Sequence, residues 1–337
     1  MDDDTLWGWR ISFEDTHQGA SHGRLFDPQG KMVGRGSASA CRQLRLEHLR
    51  RSSDWAAPSR MLIPTLGGRQ WWTDTYLHCG WRIQQHYRTS RYRLLDPYGL
   101  RRAQGTFTRC RLAAEYFRVQ RNIQWDQDSL VLIVHGLLRS GSSCAGLLRH
   151  LRQQGHQAYT WEYASAKTPL DNAAESLRHT LNHLHDIHRV HLITHSLGSL
   201  VVRSALAQHS HPKVRSLVSI FPPSQGSQLA ERMHGWKPYQ WLTGPVGQEI
   251  RPQQISQLPP PNIPTMVIAG SKGWGVGRLL GVAQPSDGTV SVAETRLPDC
   301  EHHTVPRGHS FGMNHPTVCD LVSDWLQRQS DAGEKHP

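Results

Sequence analysis

The sequence predicts an α/β fold, a doubly wound and mostly parallel sheet with helices on both faces, preceded by a smaller α+β part made of two tandem repeats. Three observations carry this. From residue 126 onward, short apolar runs alternate with stretches of helical periodicity. Before that point the chain repeats its own motifs. The charge divides at the same place: residues 1–125 hold 20 Lys and Arg against 11 Asp and Glu, whereas residues 126–337 hold 18 against 16.

The later part predicts its elements in order. Leu130-Val131-Leu132-Ile133-Val134 is continuously apolar, as expected for a strand buried on both faces. A helical pattern follows over 143–154, then a strand over 157–163. Leu170, Ala173, Ala174, Leu177, Leu181, Leu184 and Ile187 recur at helical spacing on one face. A strand over 190–194, an apolar helix over 197–208, strands over 214–220 and 265–269, and a last helix over 316–328 complete the series. This alternation is that of a parallel sheet with right-handed crossovers.

The earlier part carries the repeats, over about 7–51 and 80–121. Gly8-Trp9-Arg10-Ile11 returns as Gly80-Trp81-Arg82-Ile83. Arg24-Leu25-Phe26-Asp27-Pro28-Gln29-Gly30 returns as Arg93-Leu94-Leu95-Asp96-Pro97-Tyr98-Gly99, and Cys41-Arg42 returns as Cys110-Arg111. In each unit a strand begins at Trp-Arg-Ile, and a second ends at the Asp-Pro turn. A third strand and then a helix follow, the helix over 39–51 and 108–121. Each unit alone buries little, so the two are expected to share a core. The segment 52–79 links them, and Trp71-Trp72 is expected to pack. The bland reading of this part is a structural or interaction appendage. The basic balance, with Tyr87-Arg88 and Arg91-Tyr92-Arg93, also suits a nucleic-acid or other anionic surface, or a protein partner.

Composition removes several classes. No run approaches the ~18–20 apolar residues of a membrane span. Met1-Asp2-Asp3-Asp4 is acidic and leads into no apolar region, so no secretory signal is expected and the expected location is cytoplasmic. Six cysteines without a C-x-x-C pair indicate neither a zinc site nor a disulfide scaffold. The histidines at 179, 183, 185, 188, 191 and 195 lack H-E-x-x-H, and most are expected to face water. The glycines over 270–281 lack the G-K-[ST] ending of a phosphate loop. No cofactor or metal is expected.

Thr194-His195-Ser196-Leu197-Gly198 falls between a strand and a helix. A sharp strand-to-helix turn there lifts a serine hydroxyl above the sheet edge as a nucleophile elbow. The usual pattern is G-x-S-x-G, and here Thr194 replaces the first glycine. A serine needs a base, and the base needs an orienting acid. Asp287 in Ser286-Asp287-Gly288-Thr289-Val290 and His309 in Arg307-Gly308-His309-Ser310 follow in the order Ser, Asp, His. Asp287-Gly288 alone would suit a plain turn. His302, His303 and His315 are rival bases, and Asp299 is a rival acid. Two backbone donors are also required for an oxyanion. Leu197, after the nucleophile, and Leu137, in His135-Gly136-Leu137-Leu138, are the candidates. His135 is read as structural support for that loop.

With these residues in place, the stretch from about 130 to 328 resembles small bacterial lipases and esterases of the α/β-hydrolase superfamily. The resemblance rests on Val134-His135-Gly136-Leu137, Thr194-His195-Ser196-Leu197-Gly198, Pro222-Pro223-Ser224-Gln225-Gly226-Ser227, Asp287-Gly288-Thr289-Val290 and Gly308-His309-Ser310. It implies a serine esterase that acts on small-molecule or lipid esters through an acyl-enzyme. The insert 226–262, with Trp236, Tyr239 and Trp241, is either a cap lining an acyl pocket or an ordinary packed excursion. The same machinery serves thioesterases and acyltransferases. A non-catalytic binding protein on this scaffold is the remaining alternative. The resemblance does not reach residues 1–125; the hydrolase region is expected over 126–330, with a tail over 331–337.

Overall fold

The computed structural model describes residues 4–6, 8–14, 22–51, 63–64, 69–207, 210–273 and 276–333. The chain divides into two compact units. The first comprises residues 1–67, 74–125 and 182–186, and the second comprises 68–73, 126–181 and 187–337.

The first unit holds a four-stranded sheet in the order β1 (Asp4–Leu6), β2 (Trp9–Glu14), β3 (His22–Phe26), β4 (Met32–Ser37), followed by α1 (Ala38–Arg50). A five-stranded sheet follows, made of β5 (Ile63–Pro64), β6 (Trp72–His78), β7 (Trp81–His86), β8 (Tyr92–Leu95) and β9 (Leu100–Gly105) in the order β5-β9-β8-β7-β6, and then α2 (Phe107–Gln120). Three antiparallel strands and a helix therefore follow each Gly-Trp-Arg-Ile. The two turns share one chemistry. Asp27 Oδ1 accepts from the N–H groups of Gln29 and Lys31, at 3.0 and 2.8 Å. Asp96 Oδ1 accepts from those of Tyr98 and Leu100, at 3.0 and 2.9 Å. Each helix starts on a hydroxyl cap, Ser37 or Thr106. The helices meet around Leu46, Leu49 and Leu112.

A count of arginines overstates the surface charge of this unit. Arg42, Arg45, Arg93, Arg111 and Arg118 are buried. Arg45 Nη2 lies 3.0 Å from Asp4 Oδ2 and 2.9 Å from Glu115 Oε1, and Arg111 bridges the same two carboxylates. Arg42 and Arg118 both pair with Asp186. Trp71, expected to pack, is 48% exposed. It ends the single helical turn Arg69–Trp71 that leads into β6, whose first residue, Trp72, is half-buried. Much of the linking segment, 52–62 and 65–68, lies outside the described residues.

The second unit is a six-stranded parallel sheet of β10 (Ser129–Val134), β11 (Ala158–Trp161), β12 (Arg189–His195), β13 (Val214–Ile220), β14 (Thr265–Gly270) and β15 (Glu301–Val305), ordered β11-β10-β12-β13-β14-β15. Helices α3 (Ala145–Gln153), α4 (Leu170–Asn182), α5 (Leu197–Ala207) and α11 (Pro316–Gly333) connect and cover it. Val131, Ile133, Ile193, Val218 and Ile268 pack with Leu147, Leu151, Val318 and Val322 in its main core. Strand β15 was not foreseen. Helix α4 stops at Asn182, so Leu184 and Ile187 are buried outside the helix whose stripe they seemed to extend. The insert forms α6 (Gln228–Met233), α7 (Lys237–Thr243), α8 (Val246–Glu249) and α9 (Pro252–Ile255), and α10 (Val276–Leu279) follows β14. No described helix is long and apolar enough to cross a membrane. The strand order reverses between β10 and β12, which opens a crevice at their C-terminal ends.

Candidate active site

That crevice collects the residues singled out in the sequence. Ser196 follows β12 with a φ of +52°, a left-handed conformation that a serine holds only when its surroundings enforce it. Its N–H donates to Ile220 O at 2.9 Å, which fixes the turn against β13. Gly198 is required by close approach, because a Cβ there would lie 2.6 Å from Val134 O. Thr194 is accommodated because its hydroxyl is satisfied inside the fold: Oγ1 is 2.7 Å from Ser199 Oγ and donates to Val218 O at 3.2 Å. A threonine at the first position of the elbow therefore leaves no orphaned polar group.

Asp287 and His309 come to the same edge from loops after β14 and β15. His309 Nε2 lies 2.9 Å from Ser196 Oγ, and its Nδ1 lies 2.7 Å from Asp287 Oδ2. The other carboxylate oxygen, Asp287 Oδ1, accepts from the N–H groups of Thr289 and Val290 at 2.9 and 2.7 Å. The His309 N–H also donates to Asp287 O at 2.9 Å, joining the two loops directly. Asp287 is buried, and the His309 side chain is 13% exposed.

The rival groups lie elsewhere. His302 and His303 are on β15, where His302 Nε2 meets Thr295 Oγ1 at 3.0 Å and His303 Nε2 meets Glu301 Oε1 at 2.6 Å. His315 Nδ1 accepts from Thr317 N at the start of α11. Asp299 occupies a left-handed turn residue before β15. Of the histidines at 179 to 195, three are buried rather than water-facing: His185, His191 and His195. The latter two lie on β12, whose residues are covered on both faces, and each has a polar partner, Ser216 Oγ for His191 and His309 O for His195.

The loop after β10 passes beside Ser196. Leu137 and Leu197 both line the crevice, and among the described residues neither backbone N–H has a hydrogen-bond acceptor. Leu138 has a φ of +57°, and its N–H donates to Ser165 Oγ at 3.0 Å. Ser165 in turn donates to Gln70 Oε1, and Gln70 Nε2 donates to Arg139 O. His135 supports the same loop: Nδ1–H donates to Gly136 O at 2.9 Å, its ring stacks on Tyr163, and burial holds its pKa below the usual histidine value. Gln70 and Ser165 carried no local signal, because their partners lie far away in sequence.

The crevice is a cavity of about 190 Å³. Leu137, Leu138, Leu197, Leu229, Tyr239, Ile250 and Val290 make its lining largely apolar. The insert contributes Leu229, Tyr239 and Ile250, so it does line the pocket, whereas Trp236 and Trp241 are exposed.

A parallel sheet ordered 2-1-3-4-5-6, with a serine at the elbow after its third strand, defines an α/β-hydrolase fold. Residues 129–259 match the family described as alpha/beta hydrolase fold, and fold and match together place the second unit in that superfamily. The chain is similar in structure to the Bacillus licheniformis lipase BlEst2 in its mature form, with 18% identity and a TM-score of 0.50 over 58% of this chain and 90% of that one. It is also similar to the propeptide form of the same lipase, with 19% identity and a TM-score of 0.52 over 60% of this chain and about half, 51%, of that one. At such identities the likeness speaks for the fold alone. No curated protein matches the chain in sequence.

Proposed function

We propose that this protein is a serine hydrolase that cleaves carboxylic esters through an acyl-enzyme. The observation that carries the reading is the continuous line from Asp287 Oδ2 through His309 to Ser196 Oγ, with contacts of 2.7 and 2.9 Å. His309 Nε2 takes the Ser196 proton as Oγ attacks the ester carbonyl. Asp287 holds the Nδ1–H tautomer and stabilises the imidazolium. The N–H groups of Leu137 and Leu197 receive the oxyanion. The tetrahedral intermediate collapses, His309 protonates the departing alcohol, and water repeats the sequence on the acyl-Ser196. The apolar lining suits an acyl chain. Its volume lies below the roughly 300–1,000 Å³ of pockets for larger ligands, which favours short chains. A retired, purely binding scaffold would lack at least one of these groups, so the hydrogen-bonded line of Asp287, His309 and Ser196 supports the hydrolase reading over it.

The test is hydrolysis of nitrophenyl esters from acetyl to palmitoyl by native protein and Ser196→Ala, with fluorophosphonate labelling alongside. Turnover best at short chains and lost in Ser196→Ala, with labelling of Ser196 only in the native protein, supports the reading. A folded native protein that turns over no ester and takes no label refutes it.

A further inference from the structure

One basic residue lines the apolar crevice. Arg139 is the only arginine or lysine among its described lining residues. Its place is set by the backbone: its N–H donates to Gly136 O, and its carbonyl accepts from Gln70 Nε2. Its guanidinium lies over the Phe311 ring, 6.0 Å from the centroid, and among the described residues no carboxylate pairs with it. Several other arginines of the second unit are taken up by partners within the fold. Arg178, Arg189, Arg251 and Arg328 each have a carboxylate, and Arg203 donates to three backbone carbonyls.

A half-buried cation beside an apolar pocket, with no internal anion, is set up to receive an anion from outside. Its side of the pocket is also indicated. Phe311 follows His309 by two residues, and His309 Nε2 is where the departing alcohol collects its proton. An ester bound with its alcohol portion toward His309 and Arg139 would lay its acyl chain toward Leu229, Tyr239 and Ile250.

We propose that Arg139 selects esters whose alcohol portion carries an anionic group, a phosphate or a carboxylate. This inference rests on the ester hydrolase reading above. The planar guanidinium can bind either oxyanion with two parallel N–H donors. The guanidinium also meets the exposed Phe311 ring, 6.0 Å from its centroid, which gives it a neighbour without taking up its N–H donors.

The experiment compares butyryl esters that differ only in the alcohol: monobutyrin, butyryl glycerol 3-phosphate, the butyryl ester of glyceric acid, and butyrylcholine. kcat/KM is measured for wild type, Arg139→Gln and Arg139→Glu. Wild type should favour at least one anionic ester over monobutyrin by about tenfold or more at low salt, the scale of one charged hydrogen bond, and less at high salt. Arg139→Gln should bring that ratio close to one, and Arg139→Glu should turn the preference toward butyrylcholine. The phosphate and carboxylate arms show which anion is read. A wild-type ratio near one, or a preference that survives in Arg139→Gln, overturns the inference while monobutyrin turnover keeps the ester reading standing. No turnover of any of the four esters, with Ser196 unlabelled by fluorophosphonate, removes the ester reading itself.

Discussion

The imidazole Nε2 of His195 lies 2.9 Å from the main-chain carbonyl oxygen of His309. A carbonyl only accepts, so His195 carries its proton on Nε2. Its Nδ1 is left buried and without a partner among the described residues, beside Gly136. His195, next to Ser196, thus ties the main chain of His309 to the turn at Ser196, and in the proposed mechanism it would act on the reaction only through His309. Removing the donor should let the His309 loop drift. His195→Leu should lower kcat by about 10- to 100-fold with a smaller change in KM, because misplacement of about 1 Å costs this much. His195→Gln, which keeps a donor, should recover part of the loss. Equal kcat for the Leu and Gln variants would show that packing alone matters at this position.

The same ring makes a statement about acid stability. Burial lowers the pKa of His195 to about 3, and burial lowers that of His191 to about 4. Unfolded histidines bind protons near pH 6.5. Between that value and the depressed folded values, the unfolded chain holds more protons than the native one. Stability is therefore full above about pH 6.5 and falls as pH drops toward 4, by about 1.4 kcal/mol per pH unit for each such proton. Denaturation midpoints from pH 7 to 4 should decline before carboxylates titrate, and His195→Gln should flatten the slope by about one proton. A flat profile over pH 6.5 to 5 would count against both shifts.

Legibility followed burial and chemistry. Leu130 to Val134 and the apolar helix after Ser196 announced themselves, because residues buried on both faces can be little else. Ser196, Asp287 and His309, which the structure brings within hydrogen-bond distance of one another, stood out because the proposed turn and proton relay demand particular residue types in a fixed order. Strand β15 was hidden: as an edge strand only part of it is covered, and Glu301-His302-His303-Thr304 shows no apolar alternation. Strand β1 was hidden for the opposite reason, since Asp4 is buried and compensated by Arg45 and Arg111 from helices far along the chain. His195 and Arg139 were equally mute, because their importance lies in what they reach across space.

The Asp4–Arg45–Glu115 cluster should be costly to break. The neighbouring arginines hold Asp4 well below the ordinary carboxylate range and Glu115 at about 2, against burial that pushes both up. Arg45→Met removes one of the two cations that touch both carboxylates, Arg111 being the other, and should destabilise the first unit by about 3–5 kcal/mol, the usual result of breaking a buried charge cluster. Replacing Asp4, Arg45, Arg111 and Glu115 together by apolar residues of similar volume should cost far less, because no member of the cluster is then left buried without its partners. Urea denaturation of the single and quadruple variants checks this, and a single variant as stable as wild type would show that water reaches the cluster.

Asp287→Asn offers the sharpest test of the relay. Asp287 Oδ1 is fixed by two backbone N–H donors, Thr289 and Val290. An asparagine there must keep its carbonyl oxygen toward those donors, which turns its NH2 toward His309 Nδ1. That nitrogen must then accept, so the ring proton moves to Nε2, the atom that faces Ser196 Oγ at 2.9 Å. The base would be correctly placed but already protonated where it must receive. kcat should fall by about 10⁴-fold near neutral pH, with the fold and substrate binding retained. Asp287→Ala leaves a space without imposing the wrong tautomer, so added formate should restore part of its activity and none to Asp287→Asn. Esterase rates with and without formate decide the matter, and near-native activity in Asp287→Asn would remove Asp287 from the relay.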